Sequence, residues 1–504
     1  MTETPDLNLP LLPLLLYKTP PGLELILAQE GVAQKSIADL TPATLLAGRF
    51  VLYDGRVTSR DRLKAMLTPE HFAIDVDPLR GGESVDPFAA LIDNESRMAS
   101  WNIGGALPRE RIARRPKGRI RRTLIDRLRR TVGEAGGLWA RLGSFPYPYR
   151  SAFNFRADLD ESVPDDYWSY ANARRPIEDC STHFVSTRAY GNCPAVLDDL
   201  RDFDAQSHGH YHVISRDADS NRRNLRRAHR LLVDAGITPT GFASPHGRWN
   251  PGLDDLLEEL GYEYSSEFQI GYDDLPFFAW KGDRFSKVLQ LPIHPVCEGI
   301  LLEAGVTGGA DIADHLARVV RAKIEAGEPA FVYGHPEHRL CRYPMVLRAL
   351  AETIEGEAFV WRSTMTAFAD WWRWRSERAW SVVGRGPGRY EVMLEGWSLR
   401  YPLGIEVYRG DHIARLPIDA PRVNLNLGEL AYERSTSRAD IPHPTPTPRE
   451  IGWRNFVREA LDWETVTPLS ELPASSLTGL VKRELRRWRD SDDSDALALE
   501  RTSS

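Results

Sequence analysis

Cysteine is scarce in this chain. The 504 residues hold four, Cys180, Cys193, Cys297 and Cys341, with no CxxC spacing among them. That excludes a disulfide framework and a zinc knuckle, and it fits a reducing compartment. Long hydrophobic runs are also lacking. The nearest, Leu7 to Tyr17 (LNLPLLPLLLY), follows Glu3 and Asp6 rather than basic residues and contains Pro10 and Pro13, with no small-residue cleavage site after it. It is too short to span a bilayer. It reads as a first buried strand, and the protein as cytoplasmic without a transmembrane segment. An excess of positive charge is missing as well: 64 Lys and Arg face 71 Asp and Glu, a net charge of −7, so nucleic acid is not expected as a partner. There are no internal repeats, and the oligomeric state is not legible.

The remaining composition, 42% hydrophobic and 27% charged, is that of a globular protein of two to four domains. Residues 1–145 read as an N-terminal α/β domain of unlegible role. Leu14–Tyr17, Leu23–Ala28, Phe50–Tyr53 and Phe72–Val76 look like short buried strands. Glu110 to Arg141 has helical spacing, broken early by Pro116. Residues 146–378 alternate strand and helix, the pattern of a parallel β/α barrel or a doubly wound sheet. Residues 379–489 suggest a small β-rich domain containing a polyproline-like spacer at 442–448, and residues 490–504 a disordered tail.

The chemistry concentrates at Gln206 to His212, QSHGHYH. His208 and His212 are four apart and can close on one ion, with His210 between them pointing elsewhere. Two imidazoles hold a divalent ion poorly without a carboxylate. The best source lies upstream in Phe153 to Glu161, FNFRADLDE, where Asp158 and Asp160 fall on one face of a strand.

Four segments follow in order: FRADLDE (155–161), SHGHYH (207–212), GFASPHGRWNPGLDDLLEELGYEYSSEF (241–268) and FVYGHPEH (331–338). Over roughly residues 150–370 this order resembles the polysaccharide deacetylase family, the NodB-homology carbohydrate esterases. That family's motifs are an Asp pair, H-x-x-x-H, an R-x-P-Y turn and a late strand ending in His. The resemblance implies a distorted (β/α) barrel. It implies Asp160, His208 and His212 as ligands of a divalent metal, Zn²⁺ by ligand type, with Co²⁺, Mn²⁺ or Ni²⁺ also suited to the set. Asp158 would then be the general base, His335 the general acid, and the backbone N–H of His246, where the family has Tyr, an oxyanion donor. Trp249, Arg248 and His294 are the expected substrate contacts.

The departures are specific. Leu159 separates the Asp pair, so base and ligand can be exchanged. Ala243 stands where the family has the Arg that orients the base, with Arg156 and Arg248 as substitutes, and Asp273 and Asp274 are candidates for the acid that tunes the catalytic His. The function implied is a metal-dependent hydrolase removing an N-acetyl group from a sugar or polysaccharide. Two alternatives stand beside it: an amidase acting on another C–N bond, and a barrel that has lost activity and serves as a scaffold.

Overall fold

Three of the four apolar runs in the first eighty residues form strands, and the fourth does not. The computed structural model describes residues 9–82, 84–215, 218–435 and 444–446. The 490–504 tail and most of the spacer lie outside these. β1 (Leu14–Tyr17), β2 (Gln34–Ile37), β3 (Phe50–Tyr53) and β4 (Phe72–Asp75) make a parallel sheet in the order β2-β1-β3-β4. Leu23–Ala28, expected as a strand, lies within the helix Pro21–Glu30. Pro21 opens it, where a missing N–H costs nothing. Gly31 closes it at φ 70°, its N–H reaching the Ala28 carbonyl. Leu23, Leu25, Ile26 and Leu27 are all buried, so the run carries no periodicity to separate helix from strand.

The Glu110–Arg141 stretch also differs from its expectation as one interrupted helix. A hairpin of β5 (Ser96–Ser100) and β6 (Arg109–Ala113) precedes the helix Lys117–Glu134, and β7 (Trp139–Leu142) follows it. Pro116 holds Arg115 out of helical geometry, and Gly136 and Gly137 end the helix.

The central sheet is built from β8 (Ser151–Leu159), β9 (Ser181–Val185), β10 (Asp204–Ser207), β11 (Gly241–Phe242), β12 (Tyr264–Ser265), β13 (Phe277–Trp280), β14 (Phe285–Gln290), β15 (Pro329–Gly334) and β16 (Val360–Arg362). Its order is β13-β14-β12-β11-β10-β9-β8-β15, with β16 beside the start of β8. All pairs are parallel except β13 with β14. The expected distorted (β/α) barrel is not closed by strand pairing among the described residues: the hydrogen-bonded sheet is open between β13 and β15. The antiparallel β13–β14 pair ends the parallel succession, and between β14 and β15 the chain is bridged by the His294 N–H to the Phe331 carbonyl at 2.9 Å. The β5–β6 hairpin reaches the same region, with the Ala113 N–H on the Phe268 carbonyl, and Ala99, Trp101, Ile112 and Ala113 join the core of the central sheet.

β17 (Trp380–Gly386), β18 (Arg389–Leu394) and β21 (Arg422–Asn426) form an antiparallel sheet. β19 (Leu403–Arg409) and β20 (His412–Ile418) pair with each other, and β19 also pairs with β7. Thr445 and Pro446 pair antiparallel with β5. A second core runs through both ends of the chain, from Leu14, Leu16 and Trp139 to Trp371, Trp374, Ile405 and Val407.

Candidate metal centre and active site

β8 is buried along all nine residues. Alternation sends Phe153, Phe155, Ala157 and Leu159 into the core and leaves Arg156 and Asp158 on the other face, with Asp160 one residue past the strand end. The first positions after the parallel strands supply the rest of the cluster: His208 after β10 and His335 after β15. This is the carboxyl end of the sheet, where open α/β folds place their ligands.

Asp160 is the centre. Its Oδ1 lies 3.2 Å from His208 Nε2 and 3.2 Å from His212 Nε2. The Ala243 carbonyl accepts from His208 Nδ1 at 2.7 Å, which fixes the tautomer and leaves Nε2 with its lone pair toward Asp160. Asp160 Oδ1 is buried without a hydrogen-bond partner. A lone-pair nitrogen of His208, the Nε2 of His212 and a buried carboxylate oxygen 3.2 Å from both fit a cation, since tetrahedral Zn²⁺ requires ligand atoms about 3.3 Å apart. The electrostatics agree. Burial works against the charge of Asp160, yet the charge of the neighbouring His212 holds its carboxyl well below the usual carboxylate range. Burial likewise opposes the charge of His212, and Asp160 raises it. Positive charge is stabilised at this point.

The 209–213 loop that delivers His212 is organised by one side chain. Asn224 Oδ1 accepts from the N–H groups of His210 and Tyr211 at 2.8 and 2.7 Å, and its Nδ2 donates to the Val213 carbonyl at 2.9 Å. His210 points away, onto Thr187 Oγ1 at 3.0 Å, as its position between the two ligand candidates implies.

Asp158 is gripped by Arg156 from two residues back on the same strand face. Arg156 Nε donates to Oδ1 and its terminal nitrogen to Oδ2, both at 2.6 Å. The guanidinium also donates to the Ser266 carbonyl at 2.8 Å and lies over the rings of Phe184 and Tyr333. Of the two substitutes for the Arg absent at Ala243, it is Arg156 that contacts Asp158.

His335 Nε2 faces Asp160 Oδ2 at 3.7 Å. Its Nδ1 and its backbone N–H both meet Glu298 Oε1, at 2.8 and 2.7 Å. Burial works against the imidazolium, but Glu298 carries His335 well above its usual range. Neither Asp273 nor Asp274 holds this role. Asp273 binds His294 and Lys323, and Asp274 binds Arg121.

The turn Pro245–Gly247 brings His246 edge-on to His212, ring centroids 4.8 Å apart, with His246 at φ 56° and Gly247 at φ 57°. Arg248 and Trp249 follow, half-buried, and Trp249 packs on the second core. His294, expected as a substrate contact, is 1% exposed and pinned to Asp273 at 3.0 Å, in a separate ion cluster with Lys323. Glu298 and Asn224 were missed by sequence reasoning. Glu298 carried a faint signal, an acid opening a helix just past a strand and the HP turn. Asn224 carried none, being one polar residue among many on a basic helix.

No family model matches the chain, and no curated protein matches it. Solved structures do. A Mycobacterium smegmatis protein described as a polysaccharide deacetylase shares 20% identity over 46% of this chain and 93% of its own, with a TM-score of 0.39. The PuuE allantoinase shares 19% identity over 46% and 93%, with a TM-score of 0.39. A family 4 carbohydrate esterase from Streptomyces lividans in complex with acetate shares 14% identity over 44% and 95%, with a TM-score of 0.31. These are partial likenesses of fold.

Proposed function

We propose that the chain is a metal-dependent hydrolase that removes an N-acetyl group from a saccharide. The observation that carries this reading is the meeting of Asp160, His208 and His212 around an orphaned carboxylate oxygen, beside Arg156-held Asp158 and Glu298-held His335. Asp160, His208 and His212 would hold a divalent ion, Zn²⁺ by donor type, supplying Lewis acidity toward an acyl oxygen and water.

The chain's own groups do the rest. Asp158, oriented by Arg156, takes a proton from the attacking water. His335 gives its Nε2 proton to the leaving nitrogen, while Glu298 fixes the ring and favours its charged form. The His246 N–H serves the developing oxyanion, and Arg248 and Trp249 form the substrate rim. The Arg156–Asp158 pair favours the hydrolase over a scaffold reading, which draws on the missing Arg at Ala243.

The test is elemental analysis of the wild type, Asp160→Ala and His208→Ala, followed by an acetate-release screen on N-acetylated sugars. About one tightly held equivalent of transition metal, lost in both variants, with acetate released, is expected. No bound metal after soaking in Zn²⁺ or Co²⁺ overturns the reading. Metal with release of ammonia or a urea-type product instead of acetate moves it to the amidase alternative.

A further inference from the structure

His335 has a second face, turned away from Asp160, and the donors gathered there differ from those of the first site. Its Nδ1 lies 2.8 Å from Glu298 Oε1 and 4.0 Å from Cys297 Sγ. One donor atom from each of Cys297, Glu298 and His335 falls within 4.8 Å of the others. Cys297 is 1% exposed and Glu298 fully buried. Glu298 Oε2 is buried with no hydrogen-bond partner, against Gly334, where a Cβ would come within 2.4 Å of it. A buried carboxylate oxygen without a donor is costly. Thiolate, imidazole and carboxylate together are a donor set for Zn²⁺ and other thiophilic cations.

We propose that Cys297, Glu298 and His335 form a second metal site, for a thiophilic divalent cation such as Zn²⁺, whose filling switches off the hydrolase. Binding replaces the Nδ1 proton of His335 and the thiol proton of Cys297, both released to solvent. The ring is then fixed by the ion, and the imidazolium that protonates the leaving nitrogen no longer forms. The Arg339 guanidinium packs beside Gly299, and its charge opposes a cation there, so this site fills after the Asp160 cluster and only in metal excess. The consequence for activity rests on the hydrolase reading, but the existence of the site does not.

Cobalt distinguishes the two sites, because only a sulfur ligand produces thiolate-to-cobalt charge-transfer absorption in the near ultraviolet. Titrating the full-length wild type with CoCl₂ is expected to bring in this absorption with the second equivalent. Cys297→Ser loses the band and the second equivalent, while the double variant Asp160→Ala/His208→Ala keeps the band. Acetate release by the wild type falls about a hundredfold in excess ZnCl₂, and that of Cys297→Ser does not. The site is overturned by absence of the band in cobalt excess, or by its persistence in Cys297→Ser, which would assign it to another cysteine. A band without metal at the Asp160 cluster leaves the second site standing and removes the hydrolase reading instead.

Discussion

Arg156 lies two residues from Asp158 on one strand face, and its bidentate grip depends on guanidinium geometry that an ammonium cannot reproduce. Arg156→Lys is expected to keep its metal and lose roughly 10²- to 10⁴-fold in kcat. Arg156→Ala leaves a buried carboxylate uncompensated and should cost about 3–5 kcal/mol in stability, measured by denaturant unfolding. Loss of metal together with kcat in the lysine variant would show that Arg156 organises the whole cluster and not only Asp158. Nearby, Glu267 is buried with Oε2 unpartnered. Burial raises its pKa to about 8, with Ser265 and Arg156 pulling the other way. A raised carboxyl keeps its proton in the native state after the unfolded chain has released it. Its contribution to stability is therefore fully present below pH about 4.5 and is lost as pH rises to about 8, with a slope of up to about 1.4 kcal/mol per pH unit. Glu267→Gln should flatten the fall in Tm between pH 5 and 8, and an unchanged slope would assign the titration to another group.

The loops that carry the candidate ligands are held by side chains outside the motifs. Asn224, on the helix Ala218–Asp234, satisfies four backbone groups of the 209–213 loop. Asn224→Ala should release the loop, swing His212 away from Asp160 and weaken metal binding about 10- to 100-fold with little change in helix content, which competition with a chelator would measure. The strand-and-helix alternation of residues 150–370 was legible because strand ends and caps are local: Asn250 caps the helix Pro251–Leu260 through the Leu253 N–H, and Gly261 closes it at φ 77°. Leu23–Ala28 was not legible, since Leu23, Leu25, Ile26 and Leu27 are all buried and so dense an apolar run leaves no trace of its period. The β6-helix-β7 succession was hidden behind a nearly continuous basic, leucine-rich sequence.

The units at the two ends of the chain are not independent of the centre. β7 pairs with β19 along four residue pairs, Glu30 and Glu406 both grip Arg141, and Trp371 and Trp374 from the central unit pack in the core shared with Trp139 and Ile405. Truncation after Arg378 would strip β7 of its partner and expose that core. The shortened chain is expected to aggregate or to unfold well below the full-length Tm in a thermal scan, although every residue of the Asp160 cluster is retained. A soluble truncation with unchanged Tm and metal content would show that the central sheet stands alone. Among the described residues no helix is long and apolar enough to cross a membrane.

The candidate ligands and their order along the chain were readable from local pattern, because a carboxylate at a strand end and two imidazoles four apart are spaced by backbone geometry alone. Which side chains support them was not. Arg156 was one of two alternatives until folding showed it on Asp158. Glu298 meets His335 across 37 positions, and His294, equally placed at a strand end, turned inward to Asp273. Local spacing decides which donors can share a face, whereas a partner for a buried charge is chosen by whichever distant segment packs against it.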